Sequence, residues 1–396
     1  MKSLGKSFKA PKEVFFKSEK FRSLITQALV LLVIIIAFSW IIRNTAINLT
    51  ARGIASGFDF LWAPSSFDIG FLPFIDHDTN QSYFNAFLVG LLNTILVSIL
   101  GIFFATILGF VIGIARLSNN FFISRFCGSY VELIRNIPLL LQIFFWYHAV
   151  LRILPRAKES LEFKDSFFLN LKGLYIPKPI PETGFNILLI FFIISIIAIF
   201  LFNSYAKKLQ ANTGKQLKIL APSLLIIVIP ALIISFIYNF PLSWETPYLK
   251  GFNFKGGLRL IPELLALLLA LSLYTAAFIA ENVRSGILAI GIGQKEAARA
   301  VGLTETQILR LIIVPQALRV IIPPLTSQYL NLTKNSSLAV AIAYPDLVSV
   351  FAGTTMMQTG RAVEILAMTM SVYLSLSLTI SLFMNWYNKV VAIKDR

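Results

Sequence analysis

Five stretches of this sequence carry no charged side chain: residues 24–42, a segment within 79–115, 183–206, 219–244 and 365–388. Each approaches or exceeds the roughly 20 apolar residues that an α-helix needs to cross a bilayer. In lipid, a backbone satisfies its own N–H and C=O groups only as a helix or a closed barrel, and unbroken apolar runs of this length select the helix. A water-soluble core is excluded by the same pattern. Hydrophobic residues make up 57% of the chain and charged residues only 14%, against about 25% charge in soluble domains. Three shorter stretches, 136–151, 264–280 and about 315–343, bring the count to eight spans, the last containing Arg319 and Lys334. The expected fold class is an all-α polytopic membrane protein with about eight transmembrane helices.

The remaining charges set the orientation. The formal net charge is +16, and basic segments alternate with apolar ones along the whole chain. That alternation fits cytoplasmic loops under the positive-inside rule better than a nucleic-acid-binding surface. Residues 1–23 hold Lys2, Lys6, Lys9, Lys12, Lys17, Lys20 and Arg22 against Glu13 and Glu19, which places the N-terminus inside. Eight crossings then put 204–218 inside as well, where Lys207, Lys208, Lys215 and Lys218 meet no acid. The same parity puts 43–83 outside, and there Asp59, Asp68, Asp76 and Asp78 outnumber Arg43 and Arg52. The tail, with Lys389, Lys394 and Arg396, returns to the cytoplasm. A multi-pass membrane protein with both termini cytoplasmic is expected. No A-x-A cleavage site follows the first apolar run, so it reads as a retained helix rather than a signal peptide.

Cys127 is the sole cysteine, which excludes an intrachain disulfide and a cysteine metal cluster. His77 and His148 lie far apart in sequence. Neither a metal nor a cofactor is expected. The loop 154–185 has nearly balanced charge, and Pro177, Pro179 and Pro181 oppose regular helix there. With 240–261 it is expected to form a small external cap. The hairpin between them, 183–244, is almost without polar residues and reads as an inserted, lipid-facing scaffold.

The informative stretch runs from Tyr274 to Ser337. Residues 294–301, rich in Ala, Glu and Arg, favour a short helix. Gly302 suits its C-terminus, where a left-handed residue is needed. Thr304 with Gln307 three positions later has the spacing of a capping box. Two short helices meeting at an angle on the cytoplasmic side are therefore expected. Such an elbow either transmits force from a soluble partner or simply covers the loop.

The spacing Glu296-Ala297-Ala298, Gly302, Ile312-x-Val314-Pro315 resembles the EAA loop of binding-protein-dependent ABC transporter permeases, Val314 standing where leucine is usual. Glu132-Leu-Ile-Arg135-Asn136-Ile-Pro138-Leu-Leu-Leu-Gln142 resembles a segment of the polar amino-acid permeases, as do Glu281-x-x-Arg284-x-Gly286 and Pro315-Gln-Ala-Leu-Arg-x-x-x-Pro323. Asn93-Thr94 with Val97-Ser98 is similar to the start of the same core. Together these resemble the larger permease of general L-amino-acid systems of the glutamate/glutamine/aspartate/asparagine type.

The resemblance implies a five-helix ABC importer permease core. It implies an N-terminal part at 1–85, core at 86–153, external loops with the inserted hairpin at 154–261, core again at 262–388 with the EAA loop at 281–315, and a tail at 389–396. It implies an ATPase dimer, a second permease subunit, a periplasmic amino-acid-binding protein and an amino-acid substrate, in contact with membrane lipid. Glu296, Ala297, Ala298, Gly302 and Pro315 would then couple to the ATPase. No Gly-x4-Gly-Lys-[Ser/Thr] phosphate loop occurs, so ATP hydrolysis falls to a partner and the chain itself is not expected to be an enzyme.

Polar side chains at membrane depth are costly and tend to face water or a partner. Gln142, Gln328, Asn331, Lys334, Asn335, Ser336 and Ser337 are the candidates for a translocation path, since together they offer donors for a carboxylate and acceptors for an ammonium. Helix–helix hydrogen bonding is the other use of each. Glu281 and Arg284, three apart on one helix face, form either a structural pair or a gate contact. Gly109 and Gly113 have the spacing of a packing site. Pro138 and Pro323–Pro324 are expected to break or kink helices. The function expected is a permease moving amino acids into the cytoplasm by alternating access. A stand-alone ion-coupled secondary transporter would instead show repeated pairs of broken helices, and a membrane enzyme a catalytic constellation.

Overall fold

The computed structural model describes residues 19–51, 56–214, 217 and 219–391. The segments 1–18, 52–55, 215–216, 218 and 392–396, which hold much of the charge used for orientation, lie outside the described residues. Among those described, seven helices are long and apolar enough to cross a membrane, or eight if one bent pair makes a single span. The helices are α1 (Glu19–Ala51), α2 (Tyr83–Ala115), α3 (Phe121–Asn136), α4 (Leu139–Phe144), α5 (Phe185–Thr213), α6 (Leu220–Ile237), α7 (Pro262–Leu288), α8 (Ile292–Ala300), α9 (Glu305–Ile308), α10 (Val314–Asn335), α11 (Met356–Thr359) and α12 (Ala362–Val391).

Four boundaries differ from expectation. The run 136–151 is no straight helix: α3 and the stretch Leu139–Ile153 meet at 106°. Asn120 starts α3 by accepting hydrogen bonds from the backbone N–H groups of Phe122 and Ile123. Pro138 ends it by forcing Ile137 into extended backbone, so the break sits at the expected proline. Run 219–244 stops being helical at Ile237, because Leu242–Glu245 joins a sheet. Run 183–206 continues as helix to Thr213. The seventh run is α-helical only to Asn335 and tightens into a 3₁₀ turn over Ser336–Ile342.

Pro323 and Pro324 do not break α10, which runs through them. Their missing N–H groups free only the carbonyls four residues earlier, and neighbouring side chains in a membrane bundle tolerate that loss.

The chain falls into two compact units. One comprises Met1–Asn93 and Pro345–Leu378. Its core gathers Phe60, Leu61, Tyr83, Phe87, Leu347, Phe351 and Ile365. Asn93 is fully buried there, and its amide donates to the carbonyls of Phe71 (3.2 Å) and Pro345 (2.9 Å). His77 is held by Ser65, Asn85 and the Phe67 carbonyl, a structural role rather than a metal site. Asp346 accepts from the Ser349 N–H at 2.8 Å, and its burial pushes the carboxyl pKa up to about 7.

The other unit, Thr94–Tyr344 with Thr379–Arg396, is organised around α7. That helix packs against α3, α4 and α10. Its inner positions are small, with Ala266, Ala270, Ala276, Ala277 and Ala280 fully buried. Small residues are what close helix approach in lipid requires. The expectation for Gly109 and Gly113 holds: a Cβ on Gly113 would lie 2.7 Å from the Ala280 carbonyl and 2.8 Å from Val283 Cβ.

The helical spans are joined by something an all-α reading lacked. The insertion folds into eight short strands among the described residues. β1 (Leu161–Phe163), β2 (Phe167–Asn170), β3 (Gly173–Ile176) and β8 (Leu258–Leu260) form one antiparallel sheet. β4 (Lys178–Pro181) pairs with β5 (Leu242–Glu245), and β6 (Tyr248–Lys250) with β7 (Asn253–Lys255). The β3–β8 pairing joins chain before the hairpin to chain after it, so the two flanking loops share one cap, as expected. Phe254 packs against Phe168 and Tyr175, its ring tilted to both, at centroid distances of 4.6 and 4.9 Å. The α5–α6 hairpin projects from this cap with apolar side chains exposed along both helices.

Candidate functional site

The elbow after α7 is built by local chemistry. The Gly302 N–H bonds the Arg299 carbonyl (2.9 Å) and the Leu303 N–H bonds the Ala298 carbonyl (3.2 Å). This crossed pair is a Schellman C-cap, and it needs the left-handed backbone that Gly302 adopts at φ +80°. Thr304 then caps α9: its hydroxyl accepts from the Gln307 N–H while the Gln307 side chain accepts from the Thr304 N–H at 2.9 Å. Arg299 clamps the turn by donating to the Glu305 carboxylate at 2.7 Å.

Ala298 lies under the elbow, 3% exposed, in a small core with Ile308 and Ile313. Glu296 and Ala297 face outward, with Ile292 (73% exposed) and Val301 (76% exposed) beside them. An elbow with its own apolar core has no internal need for those two side chains, so they are free for a partner. Pro315 is the second residue of α10, which follows directly on a π-helical turn over Leu309–Ile313.

Glu281 and Arg284 do pair, at 2.7 Å, but a third group completes the site. Arg116, just past α2, bonds the other Glu281 oxygen. One carboxylate thus holds two guanidiniums and ties α2 to α7. Glu281→Gln leaves those two cations facing a neutral amide. With side chains 14–33% exposed, the expected loss of stability is about 1–3 kcal/mol, below the ~3–5 of fully buried pairs. Thermal unfolding of the purified complex checks this. Adding Arg116→Gln should recover part of the loss, and additive destabilisation would refute the shared-carboxylate role.

The candidate path residues separate. Gln142 is buried and its amide is occupied by the carbonyls of Ile134 (2.9 Å) and Ile137 (3.0 Å), so it staples the Pro138 bend. Ser336 bonds the Thr333 carbonyl and Ser337 the Lys334 carbonyl, closing the end of α10. Gln328, Asn331 and Asn335, at helical spacing, share a face of α10, and Lys334 stands three residues beyond Asn331. Asn331 and Lys334 are exposed.

Residues 222–393 match the family model described as the binding-protein-dependent transport system inner membrane component. Over 386 residues the chain is 51% identical to the putative amino-acid ABC transporter permease protein YhdX of Escherichia coli, covering 96% of this chain and 97% of that one. The chain belongs to the amino-acid ABC transporter permeases. The general L-amino acid transport system permease protein AapQ of Rhizobium johnstonii is 48% identical over 377 residues, covering 95% of this chain and 94% of that one. The glutamate/glutamine/aspartate/asparagine transport system permease protein BztB of Rhodobacter capsulatus is 40% identical over 410, covering 95% of each. Among solved structures, an amino acid ABC transporter with histidines aligns at 20% identity and TM-score 0.46, covering 78% of this chain and 94% of that one.

The permease is therefore a multi-pass inner-membrane subunit of an ABC system, and its family works with ATPase and other ABC components. Sequence reading missed Arg116, which sits 165 residues from Glu281 with nothing local to mark the pair. Arg135, read only as part of a resembling segment, lies 5.0 Å over the Phe278 ring and joins α3 to α7.

Proposed function

We propose that this permease moves amino acids from periplasm to cytoplasm by alternating access, with both termini cytoplasmic. The observation that carries the reading is the elbow: a self-supporting pair of short helices, wired into α7 and α10, that leaves Ile292 and Val301 uncovered. ATPase subunits would seat on that face through Glu296 and Ala297, with Ala298, Gly302 and Pro315 keeping it rigid. Their closure would push the elbow and, through it, turn α7 against α10.

The second permease subunit would cover the polar face of α10, since Asn331 and Lys334 cannot face lipid cheaply. Gln328, Asn331, Lys334 and Asn335 would line the path there, and a periplasmic amino-acid-binding protein would deliver to its outer end. Gln142, Ser336 and Ser337 support the path's walls rather than its surface. One bent helix pair is found among the described residues, which gives a gradient-driven carrier no matching partner.

Uptake of radiolabelled amino acids, in cells lacking this chain and in cells lacking ATPase activity, tests the reading. Loss of the same amino acids in both strains is expected. Loss in the first strain alone, with wild-type uptake abolished by an ionophore, would replace the ABC mechanism with an ion-driven one. Within the first strain, Lys334→Leu should restore membrane insertion but not uptake.

A further inference from the structure

A cavity of about 530 Å³ opens where the β cap meets the core, within the range of about 300–1,000 Å³ typical of small-molecule sites. Its polar lining is Tyr147, Arg152, Lys172, Arg259 and Glu263. The core supplies Tyr147 and Arg152 from the end of the bent span and Glu263 from the first turn of α7. The insertion supplies the other two cations: Lys172 from the β2–β3 turn and Arg259 from β8.

These groups are held in place. The Asn170 side chain accepts from the Lys172 N–H at 2.8 Å, fixing the turn. Arg259 Nε donates to the Lys172 carbonyl at 2.9 Å, which fixes the Arg259 side chain against the turn that carries Lys172. The Lys172 ammonium is steadied by Asn253 and by the Phe252 carbonyl. Arg152 lies 5.8 Å over the Tyr147 ring, and the Tyr147 hydroxyl donates to Glu263 Oε1 at 2.9 Å.

Three cations and one carboxylate leave an excess of two positive charges. Among the described residues, no ion pair involves any of the four. An excess of like charge around one cavity costs stability unless an anion enters it. A guanidinium binds a carboxylate through two parallel hydrogen bonds, and Glu263 can accept from an ammonium.

We propose that this cavity is an outer vestibule that binds an α-amino acid carrying a second carboxylate. Glu263 takes the ammonium, and the cation group of Arg152, Lys172 and Arg259 takes the two carboxylates. The insertion thereby contributes to recognition, because its cap brings two of the three cations. The proposal rests on the amino-acid import reading and on the cap facing the periplasm.

Transport by the complete complex with its binding protein in proteoliposomes provides the test, comparing glutamate with its neutral isostere glutamine. Lys172→Gln and Arg259→Gln, both at the surface of the cap, should each raise the glutamate KM about tenfold, because a hydrogen bond to a charged group is lost. Glutamine, with one carboxylate, should lose less than about threefold. Glu263→Gln should weaken both substrates alike. Equal changes for the two substrates in the cation variants, or a fall in binding-protein-stimulated ATP hydrolysis without substrate, would make the cap a docking surface and overturn the vestibule. Unchanged KM values in all three variants would overturn it too. If the wild-type complex imports no amino acid at all, the import reading fails with it, an outcome separate from either.

Discussion

Replacing Ala298 by glutamate is expected to reduce uptake to the level of cells lacking the chain, while the protein still inserts into the membrane. Ala298 is 3% exposed and packs against Ile308 and Ile313 inside the elbow. A carboxylate there has no cationic partner within the core, and burying an unpaired charge costs several kcal/mol. Two helices of nine and four residues cannot absorb that loss, so α8 should detach from α9. The spans themselves are untouched, because their insertion depends on apolar runs outside the elbow. Uptake, ATP hydrolysis stimulated by the binding protein, and the amount of chain in membrane fractions should be measured together. Ala297→Glu is the informative partner variant. Ala297 is exposed, so the elbow should stay folded and only its seating on the ATPase should weaken. Full transport by Ala298→Glu would remove the elbow from the coupling mechanism.

Gly113→Val is expected to lower the unfolding midpoint of the purified complex by on the order of 5 °C and to cut its yield. The new Cβ would sit 2.7 Å from the Ala280 carbonyl, and that backbone atom cannot rotate away. The helix α7 must then shift, at a cost of about 1–3 kcal/mol for overpacking. Since α3, α4 and α10 also pack on α7, the displacement spreads to all of them. It also separates Arg116, three residues on, from Glu281. Gly128→Val provides the comparison, because a Cβ on Gly128 meets nothing within 4 Å. Equal stability of the two variants would show that α2 and α7 do not depend on this close approach.

The sequence by itself determined the features whose physics is local. Apolar runs select membrane helices because lipid offers the backbone no other partner. The elbow was readable because Gly302, Thr304 and Gln307 bond within a few residues of one another, so spacing alone implies geometry. Pro138 was readable for the same reason, since a proline restricts the residue just before it. Pro323–Pro324 was not, because whether two prolines break a helix or only kink it depends on what surrounds them, and α10 runs on through both.

Only the tertiary structure decided which distant residues share a site. Arg116 reaches Glu281 because Gly109 and Gly113 let α2 lie close against α7. Gln142 became a staple because the chain bends back and offers it the carbonyls of Ile134 and Ile137. The insertion's two loops became one cap through β3–β8 pairing, between strands separated by the whole α5–α6 hairpin. That pairing also placed Lys172 and Arg259 beside Arg152 and Glu263. None of these meetings has a period or a spacing to mark it. They follow from packing, where a side chain's partner is chosen by which surfaces can approach and not by its distance along the chain.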